Sequence, residues 1–431
     1  MERYSKKKKV IVAMPPKQTL RVATGQAGGW RSKKKVIVAM SGGVDSSVAA
    51  VLLKKAGYDV IGCFMRFWKE PGVQKWNRCC SPDAERMARR TAQLLAIPFY
   101  ALNFEKEFKD KVVRYFLKEH KMSRTPNPCV VCNKEIKFGL LFEKALTLKA
   151  DYIATGHYAK KQRTEDREQK AEYKLLSAKD KEKDQSYFLW QLNQGQLKKT
   201  LFPLADFTKK EVRNLAKRLK LPVSDAPESQ EICFIQSGIN DFLKRYLKQR
   251  PGQIIDMKGN AIGHHRGLAF YTIGQRKGIG LSGGPAFAKA SVSALRVSAD
   301  KSAGKPYFVL RKDLDKNILI VTKDKKDLYR KELILNKLNW IRAPSVQCDK
   351  RSVLDRAQKF CALVPGKKPR FSIRVKVKIR YRSNPASAIL TKNLKAKTYA
   401  LKFDRPQRAV TPGQSAVFYK RRELLGGGII E

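Results

Sequence analysis

Acidic residues are scarce in this chain of 431 residues: 38 Asp and Glu stand against 91 Lys and Arg, a formal charge of +53. An excess of that size favours a polyanion as partner, nucleic acid first and a membrane surface second. Long apolar runs are also missing. No stretch reaches the roughly 18 residues of a membrane-spanning helix, and Val10 to Met14 is too short before Pro15-Pro16 to be the hydrophobic region of a signal peptide. A basic, acid-poor start is compatible with a transit peptide, but it is poorly amphipathic, so the expected location is the cytoplasm. Eight cysteines in a chain of this length are too few for a disulfide scaffold, and their clustering points to chemistry. With 42% hydrophobic residues, disorder throughout is excluded, and two or three domains with a sizeable core are expected.

The stretch that organises the rest is Val36-Ile37-Val38-Ala39-Met40-Ser41-Gly42-Gly43-Val44-Asp45-Ser46-Ser47-Val48. Four apolar residues predict a strand covered on both faces, and Val48 to Lys55 carries helical spacing. Between them, Gly42 and Gly43 permit close approach of the backbone to an anion. Ser41, Ser46 and Ser47 add hydroxyls, and the start of a helix adds unpaired N–H groups. A Walker-type loop needs a Lys before its terminal Ser or Thr; Asp45 stands here instead. Ser41 to Ser47 resembles the PP-loop of the N-type ATP pyrophosphatases, which implies ATP as cofactor and magnesium with pyrophosphate near Asp45.

Residues 5–14 nearly repeat residues 32–40 but lack the loop, so residues 1–31 are read as an N-terminal extension or duplication scar. From Lys33 onward strands and helices alternate: Val60 to Arg66, Pro82 to Leu95, Phe99 to Leu102, Glu105 to Lys121, Lys134 to Leu148 and Tyr152 to Tyr158. That alternation predicts an α/β fold, a doubly wound parallel sheet spanning residues 32–220, with ligands at the carboxyl ends of its strands. Residues 160–184 read as an exposed hairpin, and Thr208 with Glu211 as a capping box. Residues 221–282 are rich in Gly and form a small central domain, and residues 283–304 an insertion loop. The β-rich runs in residues 305–431, among them Asn317 to Thr322, Phe371 to Tyr381, Thr398 to Phe403 and Ser415 to Tyr419, predict a C-terminal barrel or sandwich.

Thr125-Pro126-Asn127-Pro128-Cys129-Val130-Val131-Cys132-Asn133-Lys134 places two thiols just before a predicted helix, and a third follows at Cys233. The helix start and Lys134 and Lys137 are expected to lower the Cys132 pKa. C-x-x-C alone fits a redox pair, half a zinc site or an iron–sulfur site, but no His or Cys completes a zinc set. Cys63, Cys79, Cys80, Cys348 and Cys361 have no such context and are read as structural.

Together, Ser41 to Ser46, Asn127 to Lys134, Ala154-Thr155-Gly156-His157-Tyr158, Lys183-Asp184-Gln185-Ser186-Tyr187, Ser229 to Phe234 and Gly267 to Gly280 resemble the tRNA-specific 2-thiouridylase family, over residues 33–282 and 305–431. The resemblance implies a tRNA wobble uridine as substrate, ATP to adenylate its C2 oxygen, and a persulfide delivering sulfur. It implies Cys233 as persulfide carrier, Cys132 as its nucleophilic partner, and a disulfide between them as a product of turnover. A persulfide donor, a cysteine desulfurase or sulfur-relay protein, is the second partner; no membrane is implied. ATP contacts carry over to Ala39, Met40, Ser41, Gly42, Gly43, Val44, Asp45, Ser46, Met65 and Gly156. tRNA contacts carry over to Asn127, Pro128, Cys129, His157, Lys183, Asp184, Gln185, Arg380, Tyr381 and Gln414, in a barrel that touches tRNA. Cys129 departs from a branch of the family that has Asp there, leaving three readings: thiolate base, second resolving thiol, or iron–sulfur ligand with Cys132 and Cys233. The alternative function keeps the loop and changes the acceptor, as in an adenylating ligase or amidotransferase.

Overall fold

In the computed structural model the described residues are 33–73, 80–165, 171–227, 232–281, 306–342, 372–393 and 398–431. The N-terminal repeat, the insertion at 283–304, Cys79, Cys348, Cys361 and residues 229–231 lie outside them. The expected parallel sheet is present, in the order Phe99–Asn103, Asp59–Arg66, Lys35–Ala39, Tyr152–Ala154, Thr200–Leu201. The chain runs outward from Lys35–Ala39 to one edge and then returns to its other side, so the strand order reverses beside Lys35–Ala39. At such a reversal the connections at the carboxyl ends diverge and leave a crevice. The loop at Ser41 to Ser46 and the turn at Gly156 both open into it.

The helix Val44–Lys55 is buried on more than one face. Ala50 and Leu53 pack with the sheet, while Val48, Ala49 and Leu52 pack against Val212, Leu215 and Ala216 of Lys209–Arg218. The latter helix starts at the predicted capping box, with Thr208 accepting from the Glu211 N–H and the Glu211 carboxylate accepting from the Thr208 N–H. The helix expected from Lys134 instead begins at Pro128, runs through Pro128–Cys132 and Asn133–Leu140, and ends in Leu141–Thr147. Proline suits the first helical position because its missing N–H would have no partner there. Cys129 and Cys132 therefore sit on this helix rather than ahead of it.

Six antiparallel strands, Tyr329–Trp340, Thr398–Arg408, Ala386–Asn393, Ser372–Lys378, Ser415–Lys420 and Glu423–Ile430, close into a barrel when the first pairs with the last. Alternation supplies its interior: Val375 and Val377 point inward with Leu335, Leu390, Leu401, Phe403 and Phe418. Two strands grouped with the barrel by sequence, Phe308–Asp313 and Ile318–Thr322, instead join Gly252–Ile255 and Ala261–His265 in a separate sheet. Both are short apolar runs, and the choice of partner strand decides their sheet. The hairpin Ala159–Glu165 with Ala171–Ser177 is likewise not free, since Leu175 and Leu176 pair with Leu424 and Glu423 of the barrel.

A buried polar seam joins barrel to parallel-sheet unit. Trp190 Nε1 donates to Ser415 Oγ at 3.1 Å, Tyr187 donates to the Ser415 carbonyl at 2.9 Å, and the Ser186 and Tyr419 hydroxyls lie 3.2 Å apart. Replacing Ser415 by Ala leaves the indole N–H of the fully buried Trp190 without its acceptor, so a loss of about 1–3 kcal/mol is expected. Urea unfolding followed by tryptophan fluorescence measures it, and an unchanged midpoint would contradict the seam's role.

Candidate active site

At the crevice, the Ser41 to Ser46 loop is shaped by close approach on two sides. A Cβ on Gly42, which has φ +72°, would lie 2.1 Å from the Ala84 carbonyl oxygen at the start of helix Pro82–Leu94. One on Gly156 would lie 2.8 Å from the Ser46 nitrogen and 2.9 Å from the Asp45 carbonyl carbon. Only glycine allows both neighbours to press on the loop. Within it, the Ser41 N–H donates to Ser46 Oγ at 3.1 Å, and Ser46 Oγ donates to the Gly43 carbonyl at 3.1 Å. Gly43 caps the helix without a side-chain hydrogen bond, so the helix start presents its N–H groups to the crevice. The Ser47 hydroxyl is buried with no hydrogen-bond partner. Ala39, Met40, Val44 and Met65 are buried members of the core, and the first three bring mainly backbone to the loop.

Asp45 has three polar contacts. Lys209 Nζ donates to both of its carboxylate oxygens at 2.7 Å, and the Tyr158 hydroxyl donates to Oδ1 at 2.8 Å. With both oxygens of Asp45 engaged by Lys209, a magnesium ion would reach this carboxylate only by displacing the ammonium. Among the described residues no cluster of three His, Cys, Asp or Glu is arranged to hold a metal, which applies equally to Cys129, Cys132 and Cys233 as iron–sulfur ligands.

The helix that carries Cys129 and Cys132 reaches the turn after Gly156 through Phe138, whose ring centroid lies 5.9 Å from that of His157. His157 is buried and shares a 2.8 Å hydrogen bond between Nδ1 and Thr155 Oγ1. Burial, and secondly the charge of Lys137, hold its imidazole neutral. The same Lys137 pulls the pKa of both Cys129 and Cys132 down, and Cys233 pushes both up. Cys132 is not activated as its helix and lysines suggest. Burial pushes its thiol up to about 12, outweighing Lys137, and Cys129, although reachable by solvent, is enclosed enough to rise to about 11. Lys134 is exposed, and Cys132 lies at the end of Pro128–Cys132 rather than at its start, so neither the charge nor the helix start offsets desolvation. Cys132 and Cys233 are both free thiols. Cys63 and Cys80 are buried in the core. The neighbouring Phe234 anchors Cys233 among Phe108, Phe116 and Phe242.

Several residues expected to contact tRNA have structural partners. Gln414 donates to the Thr125 and Pro126 carbonyls at 2.9 and 3.3 Å, holding the segment ahead of Asn127 and Pro128. The Asn127 side chain lies near the Tyr187 hydroxyl and lowers its pKa, and Pro128 is buried. Asp184 is buried and accepts from the Ala178 and Ser186 N–H groups, while Gln185 accepts from the Tyr158 N–H. Lys183 is half-buried, its N–H bonded to Asp180. Arg380 donates to the Ala409 carbonyl at 2.6 Å, and Tyr381 packs on Phe188 with ring centroids 4.5 Å apart. Tyr158, Lys137 and Lys209 were not singled out as site residues by sequence. Tyr158 adjoins the Gly156-His157 turn and was within reach of such reasoning; Lys209 lies 164 residues from Asp45 and was not.

Three family models match the chain: "tRNA methyl transferase HUP domain" over residues 34–237, "tRNA methyl transferase PRC-barrel domain" over 240–323 and "Aminomethyltransferase beta-barrel domain" over 330–430. The tRNA-specific 2-thiouridylase MnmA 1 of Caldanaerobacter subterraneus subsp. tengcongensis is 43% identical over 403 residues, 92% of this chain and 98% of that protein. The tRNA-specific 2-thiouridylase MnmA of Moorella thermoacetica is 44% identical over 400 residues, 92% of this chain and 99% of that one. Among solved structures, a 4-thiouridine synthetase–RNA complex with bound ATP matches at TM-score 0.31 and 18% identity, over 45% of this chain and 43% of that one.

Desolvation of Cys132 has a direct readout. A thiol near 12 is almost wholly protonated at neutrality, so alkylation of Cys132 by iodoacetamide should rise about tenfold per pH unit from 8 to 10. Peptide mass spectrometry follows it residue by residue. A plateau reached below pH 8 would show a lowered pKa instead.

Proposed function

Because the chain belongs to the tRNA-specific 2-thiouridylase family, we propose that it replaces the C2 oxygen of the wobble uridine of tRNA by sulfur, at the expense of ATP. What supports the reading is that Phe138, on the continuation of the helix that carries Cys129 and Cys132, packs on His157 with ring centroids 5.9 Å apart, while the preceding Gly156 presses on Ser46 and Asp45 of the anion loop.

In the first step the uridine C2 oxygen attacks the α-phosphorus of ATP. The bond from that phosphorus to the bridging oxygen breaks, and pyrophosphate leaves into the Ser41 to Ser46 cradle. The oxygen is now part of an AMP leaving group, which makes C2 an electrophile. In the second step the terminal sulfur of a Cys233 persulfide attacks C2, and AMP departs with the former C2 oxygen. Cys132 then attacks Cys233 Sγ, its thiol proton passing to the departing 2-thiouracil as the persulfide S–S bond breaks. That leaves 2-thiouridine and a Cys132–Cys233 disulfide, which an external thiol reduces with two electrons before the persulfide donor reloads Cys233.

The raised pKa of Cys132 suits this order. A thiol that stays protonated in the resting protein does not consume the persulfide before tRNA arrives. His157, held neutral, presents an uncharged imidazole beside the base and leaves the positive field to Lys137. Outside the crevice the excess of lysine and arginine supplies tRNA affinity that is independent of the ATP step.

Two experiments test this. Asp45→Ala should lose ATP-dependent thiolation by at least about a hundredfold while tRNA binding changes by less than about threefold, since the surface serving RNA is separate. Thiouridine analysis of reacted tRNA and filter binding give the two readouts, and undiminished thiolation would remove the loop from the mechanism. In iron-free protein prepared anaerobically, ATP, tRNA and a sulfur donor should yield 2-thiouridine with sulfane sulfur trapped on Cys233. Cys233→Ser and Cys132→Ser should each abolish turnover, Cys129→Ser should be milder, and a requirement for iron with all three thiols would replace the persulfide by a cluster.

A further inference from the structure

The anion loop lacks the lysine that a Walker loop carries in its own sequence, with Asp45 in that region instead. A lysine is nevertheless present in the crevice, from another element. Lys209 opens the helix Lys209–Arg218, is 14% exposed at its side chain, and holds both oxygens of Asp45 at 2.7 Å.

Its placement is fixed from three directions. Thr208 and Glu211 form the reciprocal cap that sets the helix start, and the Lys209 N–H donates to Asp180 Oδ2 at 2.9 Å. Behind it, Val212, Leu215 and Ala216 pack on Val48, Ala49 and Leu52, the apolar face of the helix whose first turn contains Asp45. Tyr158, 2% exposed, places a hydroxyl on the same carboxylate from the Gly156 side. A Tyr and a Lys on one Asp orient that carboxylate, and through it the ammonium, at the opening of the cradle.

We propose, resting on the ATP reading above, that Lys209 is the pyrophosphate-binding cation of this site, held in place by Asp45 until ATP arrives. The helix start and the loop N–H groups provide only partial charges. The β- and γ-phosphates carry full negative charge, and an ammonium in a largely desolvated crevice is the group that meets it. On ATP binding the ammonium moves from Asp45 onto phosphate oxygens, and Tyr158 keeps the carboxylate. Asp45 then acts as a positioning residue for the lysine. That role accounts for an acidic residue in an anion-binding loop without requiring it to hold a metal.

The test is the difference between ATP and AMP, because only ATP carries the β- and γ-phosphates. Calorimetry on the full chain should show Lys209→Met, which keeps the aliphatic stem, weakening ATP by at least about tenfold with AMP changed by less than about twofold. Lys209→Arg should recover part of the ATP affinity. If Lys209→Met lowers the melting temperature but leaves the ATP-to-AMP ratio of affinities at the wild-type value, the lysine is a clamp between two helices and the proposal fails. Wild-type protein that binds neither nucleotide would instead overturn the ATP reading itself. Asp45→Asn adds a second discriminator: it should loosen Lys209 while preserving the Tyr158 hydrogen bond, so ATP should weaken less than in Lys209→Met. An equal or larger loss, with the fold intact, would assign the phosphate contact to Asp45 and remove it from Lys209.

Discussion

The buried hydrogen bonds that fasten strand Ser415–Lys420 to the segment Asp184 to Trp190 hold the molecule's working parts in register. Ser415 serves both Tyr187 and Trp190, and Tyr419 meets Ser186, all in an interior where a polar group without a partner costs about 1–3 kcal/mol. The partners are few and directional, so the barrel has one way to dock. From that docking follows the position of Gln414 and Gly413 against the segment ahead of the thiols. Gln414 bonds to Thr125 and Pro126, and a Cβ on Gly413 would lie 2.9 Å from the Thr125 carbonyl oxygen. The barrel thus sets the backbone that leads into Asn127, Pro128 and Cys129.

Desolvation, not charge, governs the resting chemistry of the crevice. A protein of charge +53 would be expected to stabilise thiolates throughout, and Lys137 does pull Cys129 and Cys132 that way. Burial is nevertheless the larger influence on both, as it is on His157. The consequence is a Cys132 thiol whose pKa is raised and a His157 imidazole whose pKa is lowered. The excess charge acts instead at longer range, where it serves attraction of a polyanion and falls with ionic strength.

Much of the fold was legible because the signals were local. The buried strand Lys35–Ala39, the capped helix starting at Thr208 and the barrel strands with alternating apolar residues each announce themselves within a dozen residues. The misplacements share a cause. Phe308–Asp313 and Ile318–Thr322 are short apolar runs that could join either sheet, and the 159–177 hairpin is polar as free hairpins are; partner choice in each case lies far along the chain. The helix start at Pro128 was masked by reading the C-x-x-C run as a loop, although Pro at a first helical position is itself a local cue.

By itself the sequence determined the Gly- and Ser-rich string Ser41 to Ser46, the order of strand and helix around it, and the three thiols on which sulfur chemistry would rest. These depend on residue type and short spacing, which a linear text preserves. Tertiary structure alone decided that Asp45 meets Lys209 and Tyr158, and that burial outweighs the pull of Lys137 on the Cys132 thiol and raises its pKa. Contacts across more than a hundred residues and the loss of water around a group are properties of the packed chain, and no local spacing encodes either.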